Sequence, residues 1–266
     1  MVGVLDSGVG GLSVWKELVG TLPDEKYLYV ADSGFCPYGP RDKSYIIERT
    51  SRISEFLIDR GADIIVVACN TATAAAISTL RRNYKIPFIG MEPATKPAVL
   101  HSESGVIAVL ATQGTFRGEL YMGTLEKYAS QTRVIEIVGN NLVELVEKME
   151  WDTPEAERLV RSYVEPAIAE GADHIVLGCT HYPFLTKTIE KIAGSKVKII
   201  NPAPAIAKRA REVLAGIVPR NVYSEDSDWF CTTAEDTSVL ASMVGMILSE
   251  SRNNVFRKYK CTTIRL

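Results

Sequence analysis

The sequence of 266 residues has almost no net charge, no long apolar run and few histidines. Its 30 lysines and arginines nearly balance its 32 aspartates and glutamates, and the formal net charge is −2. Nucleic-acid-binding proteins usually carry a basic excess, so we expect no nucleic-acid partner. No stretch approaches the roughly 20 consecutive apolar residues that span a bilayer, so we expect no membrane segment.

Cysteine pairs and a leader sequence are also lacking. The five cysteines, at positions 36, 69, 179, 231 and 261, are scattered singly with no Cys-x-x-Cys pair. The chain opens directly on the strand-like run Val2–Leu5, without a charged segment or a cleavage site. These features predict free thiols in a reducing cytoplasm. With three histidines and no H-E-x-x-H or Cys/His ligand spacing, we predict no metal site.

Nucleotide and hydrolase motifs are missing as well. Counted from Gly8, the glycine-rich segment has Ser13 where G-x-G-x-x-G requires its last glycine. No G-x-x-x-x-G-K-[ST] occurs, and Leu5 occupies the first position of a G-x-S-x-G centred on Ser7. The segment precedes a predicted helix, however, so its backbone N–H groups are suited to an anionic group, and a phosphorylated ligand stays open.

Short apolar runs alternate with helical patterns along most of the chain. Strands are predicted at 2–5, 27–30, 64–67, 88–89, 106–110, 134–138, 175–177 and 197–200. Helices are predicted at 11–20, 43–60, 71–83, 113–128, 154–170, 182–193 and 203–215. Continuous Val/Ile/Leu runs are typical of strands buried on both faces, so the fold class is α/β with mainly parallel sheets.

The sequence contains an internal repeat. The segment from Gly61 to Thr71 matches the segment from Gly171 to His181 at a constant offset of 110 residues, and it aligns Cys69 with Cys179. Two shorter pairs support it: residues 3–7 resemble 109–112, and Glu92-Pro93-Ala94 resembles Asn201-Pro202-Ala203. We therefore predict two pseudo-symmetric α/β domains.

The repeat places polar side chains where a ligand would bind. Parallel sheets bind ligands beyond the carboxyl ends of their strands, where Asp6, Ser7, Cys69, Thr112 and Cys179 are predicted to lie. If the two halves face each other, both cysteine corners line one inter-domain cleft, an ordinary position for a small-molecule site.

Two thiols in one cleft suit a particular chemistry. An enzyme that inverts a carbon centre removes a proton from one face and returns one to the other, so it needs an acid or base on each side. Cysteine can serve in both roles when its neighbours tune its pKa. The predicted neighbours are Asp6 for Cys69 and His181 for Cys179.

A carbanion beside a carboxylate also needs hydrogen-bond donors aimed at its oxygens. Polar residues near the strand ends are candidates for this role: Ser7, Asn70, Thr71, Thr112 and Thr180. Structural roles are predicted for the remaining histidines and for two cysteines: His101, His174, Cys231 and Cys261. Cys36 precedes a turn that borders the predicted site, and we assign no catalytic role to its thiol.

At these residues the sequence resembles the bacterial glutamate racemases. The resemblance is carried by six segments within residues 1–210: Asp6–Gly11, Pro37–Gly39, Cys69–Ala72, Glu92-Pro93, Ala111–Thr115 and Gly178–Pro183. It implies a cofactor-independent racemase without pyridoxal phosphate, supplying D-glutamate for peptidoglycan. It also implies a first domain of residues 1–97 with 208–266 and a second of residues 98–207.

The resemblance also implies roles for the site residues. Cys69, helped by Asp6, would act on the D-enantiomer, and Cys179, helped by His181, on the L-enantiomer. The substrate would be held by Asp6, Ser7, Tyr38, Gly39, Asn70, Thr71, Thr112, Thr180 and His181. The resemblance also implies a homo-oligomer, since members of this family are often dimers, although no motif here selects the dimer face.

Two alternatives remain open. Another small-acid enzyme on the same scaffold, such as an aspartate racemase or a decarboxylase, would use a similar cleft. Aspartate racemases usually carry an acidic residue where this chain has His181, which favours glutamate. A protein that binds a dicarboxylate without converting it is the second alternative, but binding alone does not require two thiols.

Overall fold

Two parallel sheets form the framework of the molecule. The computed structural model describes residues 1–92, 94–218, 227–250 and 257–266, so Pro93 of the predicted motif lies outside the described residues. The first sheet contains β1 (Val2–Asp6), β2 (Tyr27–Ala31), β3 (Ile64–Val67), β4 (Phe88–Gly90), β9 (Asp228–Thr232) and β10 (Tyr259–Thr263). The second contains β5 (Val106–Ala111), β6 (Arg133–Val138), β7 (His174–Gly178) and β8 (Lys198–Ile200).

Helices connect these strands and cover both faces of each sheet. In the first half they are α1 (Leu12–Thr21), α2 (Lys43–Asp59), α3 (Asn70–Asn83) and α4 (Thr95–His101). They continue with α5 (Gln113–Phe116), α6 (Glu119–Tyr128), α7 (Leu142–Glu147), α8 (Pro154–Ala169), α9 (Thr186–Ala193), α10 (Ala203–Leu214) and α11 (Ser238–Glu250). Short 3-10 turns cover Ser33–Phe35 and Tyr182–Leu185.

The two halves have the same strand order. The first sheet runs β10-β9-β2-β1-β3-β4 and the second β6-β5-β7-β8, so β2-β1-β3-β4 corresponds to β6-β5-β7-β8. The register agrees, because Leu5 pairs with Val67 as Leu110 pairs with Leu177. The predicted pseudo-symmetric α/β architecture with parallel sheets is confirmed.

The C-terminal strands are the main structural feature that the sequence pattern misses. Strands β9 and β10 extend the first sheet beyond β2 and are parallel to it, although neither has the Val/Ile/Leu run that marks the other strands. Helices α4, α7 and α11 are also additions to the predicted set. The end of the chain therefore returns to the sheet in which it began.

One predicted helix is wrong in detail. The single helix expected over 113–128 is interrupted at Gly118, which separates α5 from α6. A Cβ at Gly118 would lie 2.6 Å from the Cβ of Ala74 in α3, so a glycine is required where the two segments approach. The helix expected over 182–193 begins as a 3-10 turn containing Pro183 before it becomes α9.

A buried apolar cluster runs continuously through both halves. Helix α1 contributes Leu12, Trp15 and Leu18, and the second half contributes Leu142 and Tyr182 to the same cluster. Smaller apolar clusters cover the other face of each sheet. The two halves therefore pack through a shared core, and hydrogen bonds from Thr180 to Asp6 and between Thr71 and Thr112 join their strand ends.

Two further expectations concern membranes and domain limits. Within the residues that the structure describes, no helix combines the length and apolar character needed to cross a bilayer. The division into 1–97 with 208–266 and 98–207 stays a prediction; its second limit falls inside the continuous helix α10.

The packing of β9 generates a test. Phe230 is fully buried, and its ring lies 5.0 Å from the ring of Trp15 and 5.9 Å from that of Tyr29. We expect Phe230→Ala to lower the free energy of unfolding by about 3–5 kcal/mol, because it leaves a cavity in the core. Chemical denaturation measures this; Leu100→Ala, at a residue 62% exposed, is the control and should change stability by less than about 0.5 kcal/mol.

Candidate active site

The carboxyl ends of β1 and β3 bring Asp6, Ser7 and Cys69 together. Because Leu5 pairs with Val67, the residues that follow each strand also lie side by side. The Sγ atom of Cys69 is 3.6 Å from the Oγ atom of Ser7, and it accepts a hydrogen bond from the backbone N–H of Ala72 at 3.4 Å. Cys69 thus caps the N-terminus of α3 and is nearly fully buried.

Asp6 connects this corner to the second half of the chain. One carboxylate oxygen accepts a hydrogen bond from the backbone N–H of Gly8 at 2.9 Å. The other accepts one from the hydroxyl of Thr180 at 3.0 Å, and Thr180 directly follows Cys179. The side chain of Asp6 is completely buried, so both strand ends are fixed by a carboxylate shielded from water.

Burial also controls the charge at this corner. Burial raises the pKa of Asp6, and the nearby His181 opposes that rise. Burial and the charge of Asp6 raise the pKa of the Cys69 thiol to about 12, although the N–H of Ala72 and the hydroxyl of Ser7 favour the thiolate. Cys69 is therefore held as a neutral thiol near neutral pH.

The second corner contains Cys179, His181 and Glu147. The Sγ atom of Cys179 is 3.7 Å from Nδ1 of His181, whose Nε2 is 2.6 Å from a carboxylate oxygen of Glu147. Burial by itself lowers the pKa of His181, but hydrogen bonds with Cys179, Cys36 and Glu147 raise it well above the usual value for histidine. The second thiol therefore has a basic side chain beside it, where Cys69 has the acidic Asp6.

The glycine-rich segment packs directly on this histidine and carboxylate. A Cβ at Gly10 would lie 2.6 Å from ring atoms of His181, and a Cβ at Gly8 would lie 2.7 Å from Cδ of Glu147. The backbone N–H of Val9 donates a hydrogen bond to Glu147 at 2.7 Å. The anion expected at this segment is thus a carboxylate of the same chain, and glycine is needed because the backbone approaches so closely.

Three predicted ligand residues lie between the two corners. The amide oxygen and nitrogen of Asn70 are buried and have no hydrogen-bond partner within the described part of the chain. Because buried polar atoms are normally satisfied, such an amide is suited to a polar ligand. The hydroxyls of Thr71 and Thr112 are 2.7 Å apart and join the two halves, as Ser13 does through its hydrogen bond to the carbonyl of Thr180.

The turn that contains Cys36, Tyr38 and Gly39 borders the cleft. The hydroxyl of Tyr38 donates a 2.5 Å hydrogen bond to Asp32, which fixes the orientation of this side chain, and Tyr38 belongs to the same buried cluster as Cys69. A Cβ at Gly39 would lie 3.3 Å from Cβ of Thr112, which shows how closely the turn approaches the second half.

The structure brings together ten of the predicted residues and separates others from the cleft. Those at the two corners and between them are Asp6, Ser7, Gly39, Asn70, Thr71, Thr112, Thr180, His181 and the two thiols. His174 is buried against Asp173 at the opposite end of β7, and His101 is exposed on α4. Cys231 and Cys261 lie in β9 and β10.

Sequence reasoning missed Glu147, Asp32 and Arg49. Glu147 ends helix α7, whose Leu-Val-Glu pattern is typical of an ordinary amphipathic helix. Asp32 follows β2 and forms a buried ion pair with Arg49, at 2.7 Å, that supports Tyr38. The sequence offered one signal for these residues. Asp32 is an acidic residue just beyond a predicted strand, and Asp6 stands at the end of another strand of the same sheet.

The fold and the site together define a class of protein. Two equivalent strand ends in a two-domain α/β framework carry one thiol each, and the thiols are near enough for the charge of Cys179 to raise the pKa of Cys69. A charged partner accompanies each thiol. Such an arrangement is suited to an enzyme that moves protons at a carbon centre.

Comparison with known proteins agrees with this class. A model of the Asp/Glu/Hydantoin racemase family matches residues 4–210. The glutamate racemase of Methylococcus capsulatus is 48% identical over 213 residues, which cover 80% of this chain and 79% of that protein. The chain belongs to the Asp/Glu/hydantoin racemase family, and its enzyme class is that of an isomerase.

Solved structures have the same fold. The crystal structure of glutamate racemase isoform RacE1 from Bacillus anthracis is 32% identical, with a TM-score of 0.83, and the match covers 98% of this chain and 97% of that one. The Escherichia coli glutamate racemase, solved with L-glutamate and the activator UDP-MurNAc-Ala, is 27% identical with a TM-score of 0.87. That match covers 100% of this chain and 98% of the other.

The contact between Gly10 and His181 generates a second test. We expect Gly10→Ala to displace the imidazole ring from Cys179 and to lower the racemization rate by about 100-fold, since misplacing a catalytic group by about 1 Å costs that much. Gly20→Ala is the matched control, because nothing lies within 4 Å of a Cβ at that position. Equal rates for both variants would show that the ring position is not set by this glycine.

Proposed function

We propose that the protein interconverts L- and D-glutamate without a cofactor and supplies D-glutamate for peptidoglycan. The observation that carries the proposal is the placement of Cys69 and Cys179 at equivalent strand ends of one cleft, each with a different charged partner. The relatives named as glutamate racemases, and the L-glutamate bound by the Escherichia coli enzyme, support the choice of substrate.

In the proposed mechanism the two thiols exchange roles. With L-glutamate bound, the Cys179 thiolate, stabilised by the His181 imidazolium, takes the Cα proton. The neutral Cys69 thiol then gives its proton to the opposite face of the carbanion, which yields D-glutamate and leaves a thiolate on Cys69. The reverse reaction uses the same steps from the other side, so no proton is gained or lost overall.

The carbanion is stabilised by nearby donors. The unpartnered amide of Asn70 and the hydroxyls of Thr71, Thr112 and Thr180 line the cleft and are suited to the carboxylate oxygens, where negative charge develops. The N-terminal turn of α3 adds backbone N–H groups and a positive dipole end. Ser7, Tyr38 and Gly39 complete the proposed binding set.

The proposal also covers the domain limits, the oligomeric state and the location of the protein. The first domain consists of residues 1–97 with 208–266 and the second of residues 98–207. A dimer and a cytoplasmic location follow from the likeness to the racemase family and from a role in making a cell-wall precursor. Sedimentation of the purified protein tests the oligomeric state.

The substrate is tested by proton NMR of L-glutamate in D₂O with purified, reduced protein and no added cofactor. We expect loss of the Cα proton signal and the appearance of D-glutamate by chiral chromatography. Exchange with aspartate instead of glutamate would identify an aspartate racemase. Exchange with neither would leave a binding protein, which titration calorimetry with both amino acids would then characterise.

The two-thiol mechanism makes a prediction for each cysteine. Cys69→Ser and Cys179→Ser should each lower racemization by roughly 10²–10⁴-fold, because one face loses its proton carrier. Cys69→Ser should still exchange the Cα proton of L-glutamate with solvent but not that of D-glutamate, and Cys179→Ser the reverse. Cys261→Ser is the control; loss of both exchanges in either variant would contradict separate faces.

A separate prediction concerns His181. We expect His181→Asn to lower kcat/KM by about 10²–10⁴-fold, equally in both directions, because the two enantiomers have the same free energy. The role of His181 as the partner of Cys179 should be visible in the deuterium isotope effect. The effect should increase more for L-[2-²H]glutamate, whose proton Cys179 removes, than for D-[2-²H]glutamate. His101→Asn serves as the exposed control, and equal isotope effects would remove the assigned partnership with Cys179.

A further inference from the structure

A thiol, a carboxylate and an imidazole meet at the edge of the cleft without a shared role in the proposed reaction. Ligand atoms of Cys36, Glu147 and His181 all lie within 4.8 Å of one another. Across residues 1–92, 94–218, 227–250 and 257–266, no other group of three or more His, Cys, Asp or Glu side chains is so placed. The three residues come from separate parts of the chain and gather only in the fold.

Sulfur, nitrogen and oxygen donors of these types suit Zn²⁺. Zinc binds Cys at about 2.3 Å, and His and carboxylate groups at about 2.0–2.2 Å, in tetrahedral geometry with a fourth position for water. Ligand atoms in such a site are about 3.3–3.6 Å apart. The distance of 2.6 Å between Glu147 and His181 would widen on metal binding, and the sulfur of Cys36 already lies within 4.8 Å of both other ligand atoms.

The carboxylate is already oriented by partners outside the group. Glu147 accepts hydrogen bonds from the backbone N–H of Val9 at 2.7 Å and from the hydroxyl of Ser33 at 3.2 Å. Outer contacts of this kind position ligands and raise the affinity of metal sites. Cys36 and Val9 belong to the first half, whereas Glu147 and His181 belong to the second, so a bound ion would join the halves.

A surface pocket reaches the carboxylate of Glu147, one member of the group. A cavity of about 220 Å³ reaches Glu147 and Ser33 from solvent, and its outer wall includes the exposed acidic residues Glu235 and Asp236. Carboxylates at the entrance of a narrow pocket increase the local concentration of cations. The negative charge at the entrance of the pocket thus favours the entry of cations towards Glu147.

We propose that Cys36, Glu147 and His181 form a reversible Zn²⁺ site that inhibits the enzyme. Zinc displaces the thiol proton of Cys36 and the Nε2 proton of the His181 imidazolium, both of which are released to solvent, and it bonds to the thiolate, to the freed ring nitrogen and to the Glu147 carboxylate. The ring is then a neutral, metal-bound imidazole instead of the imidazolium that the proposed reaction places beside Cys179, and the ion links the two halves. The inhibitory part rests on the proposed function, whereas the binding part does not.

Metal binding is measured directly on the reduced full-length protein. We expect one Zn²⁺ per chain in competition with a chromophoric chelator, and a thiolate-to-metal absorption band when Co²⁺ is used instead. Cys36→Ser should lose the band and weaken zinc binding by about 100-fold or more, since loss of an outer partner alone costs about 10–100-fold. Cys261→Ser, which removes another half-buried thiol, should behave as the wild type.

The other outcomes overturn the site. No zinc binding by the wild type, or a cobalt spectrum without a thiolate band, would do so. An unchanged band in Cys36→Ser would place the metal on Cys69 or Cys179. In the racemization assay, Zn²⁺ should inhibit the wild type and Cys261→Ser reversibly with chelator but spare Cys36→Ser. If no amino acid is racemized, the proposed function fails while the binding measurement still decides the metal site.

Discussion

The interaction on which the site depends is the partly buried hydrogen bond between His181 and Glu147. It holds the imidazole beside Cys179, and it draws the carboxylate beneath the backbone N–H of Val9. Gly8 and Gly10 are in close contact with the same pair. Because the pair belongs to one half and the glycine segment to the other, the arrangement exists only when both halves are packed together.

The near symmetry of the halves makes their differences informative. By the strand register, Asp6 occupies the position that Ala111 has in the second half, and His181 the position that Thr71 has in the first. Each half therefore has a charged residue at one of these two positions and a small uncharged residue at the other. Burial and the acidic neighbour raise the pKa of Cys69, whereas the neighbour of Cys179 is a basic side chain, so two copies of one unit give the two thiols opposite electrostatic surroundings.

Much of the fold and of the site was predictable because the internal repeat can be recognised in the sequence. The strand ends, both thiols, Asp6 and His181 follow from short motifs at fixed positions, and parallel pairing brings them together. Glu147 was not predictable, because a glutamate at the end of an amphipathic helix has no local mark of burial. Strands β9 and β10 were missed for a related reason: their residues suit a sheet only because β2 offers an open edge.

The return of the chain to its first sheet has a consequence for biosynthesis. Strand β9 pairs with β2, about two hundred residues earlier, whereas all four strands of the second sheet lie between Val106 and Ile200. During synthesis from the N-terminus, the inner unit has its complete set of strands before the outer one does. The first sheet therefore cannot be completed until β9 and β10 have been synthesised, which is after every strand of the second sheet.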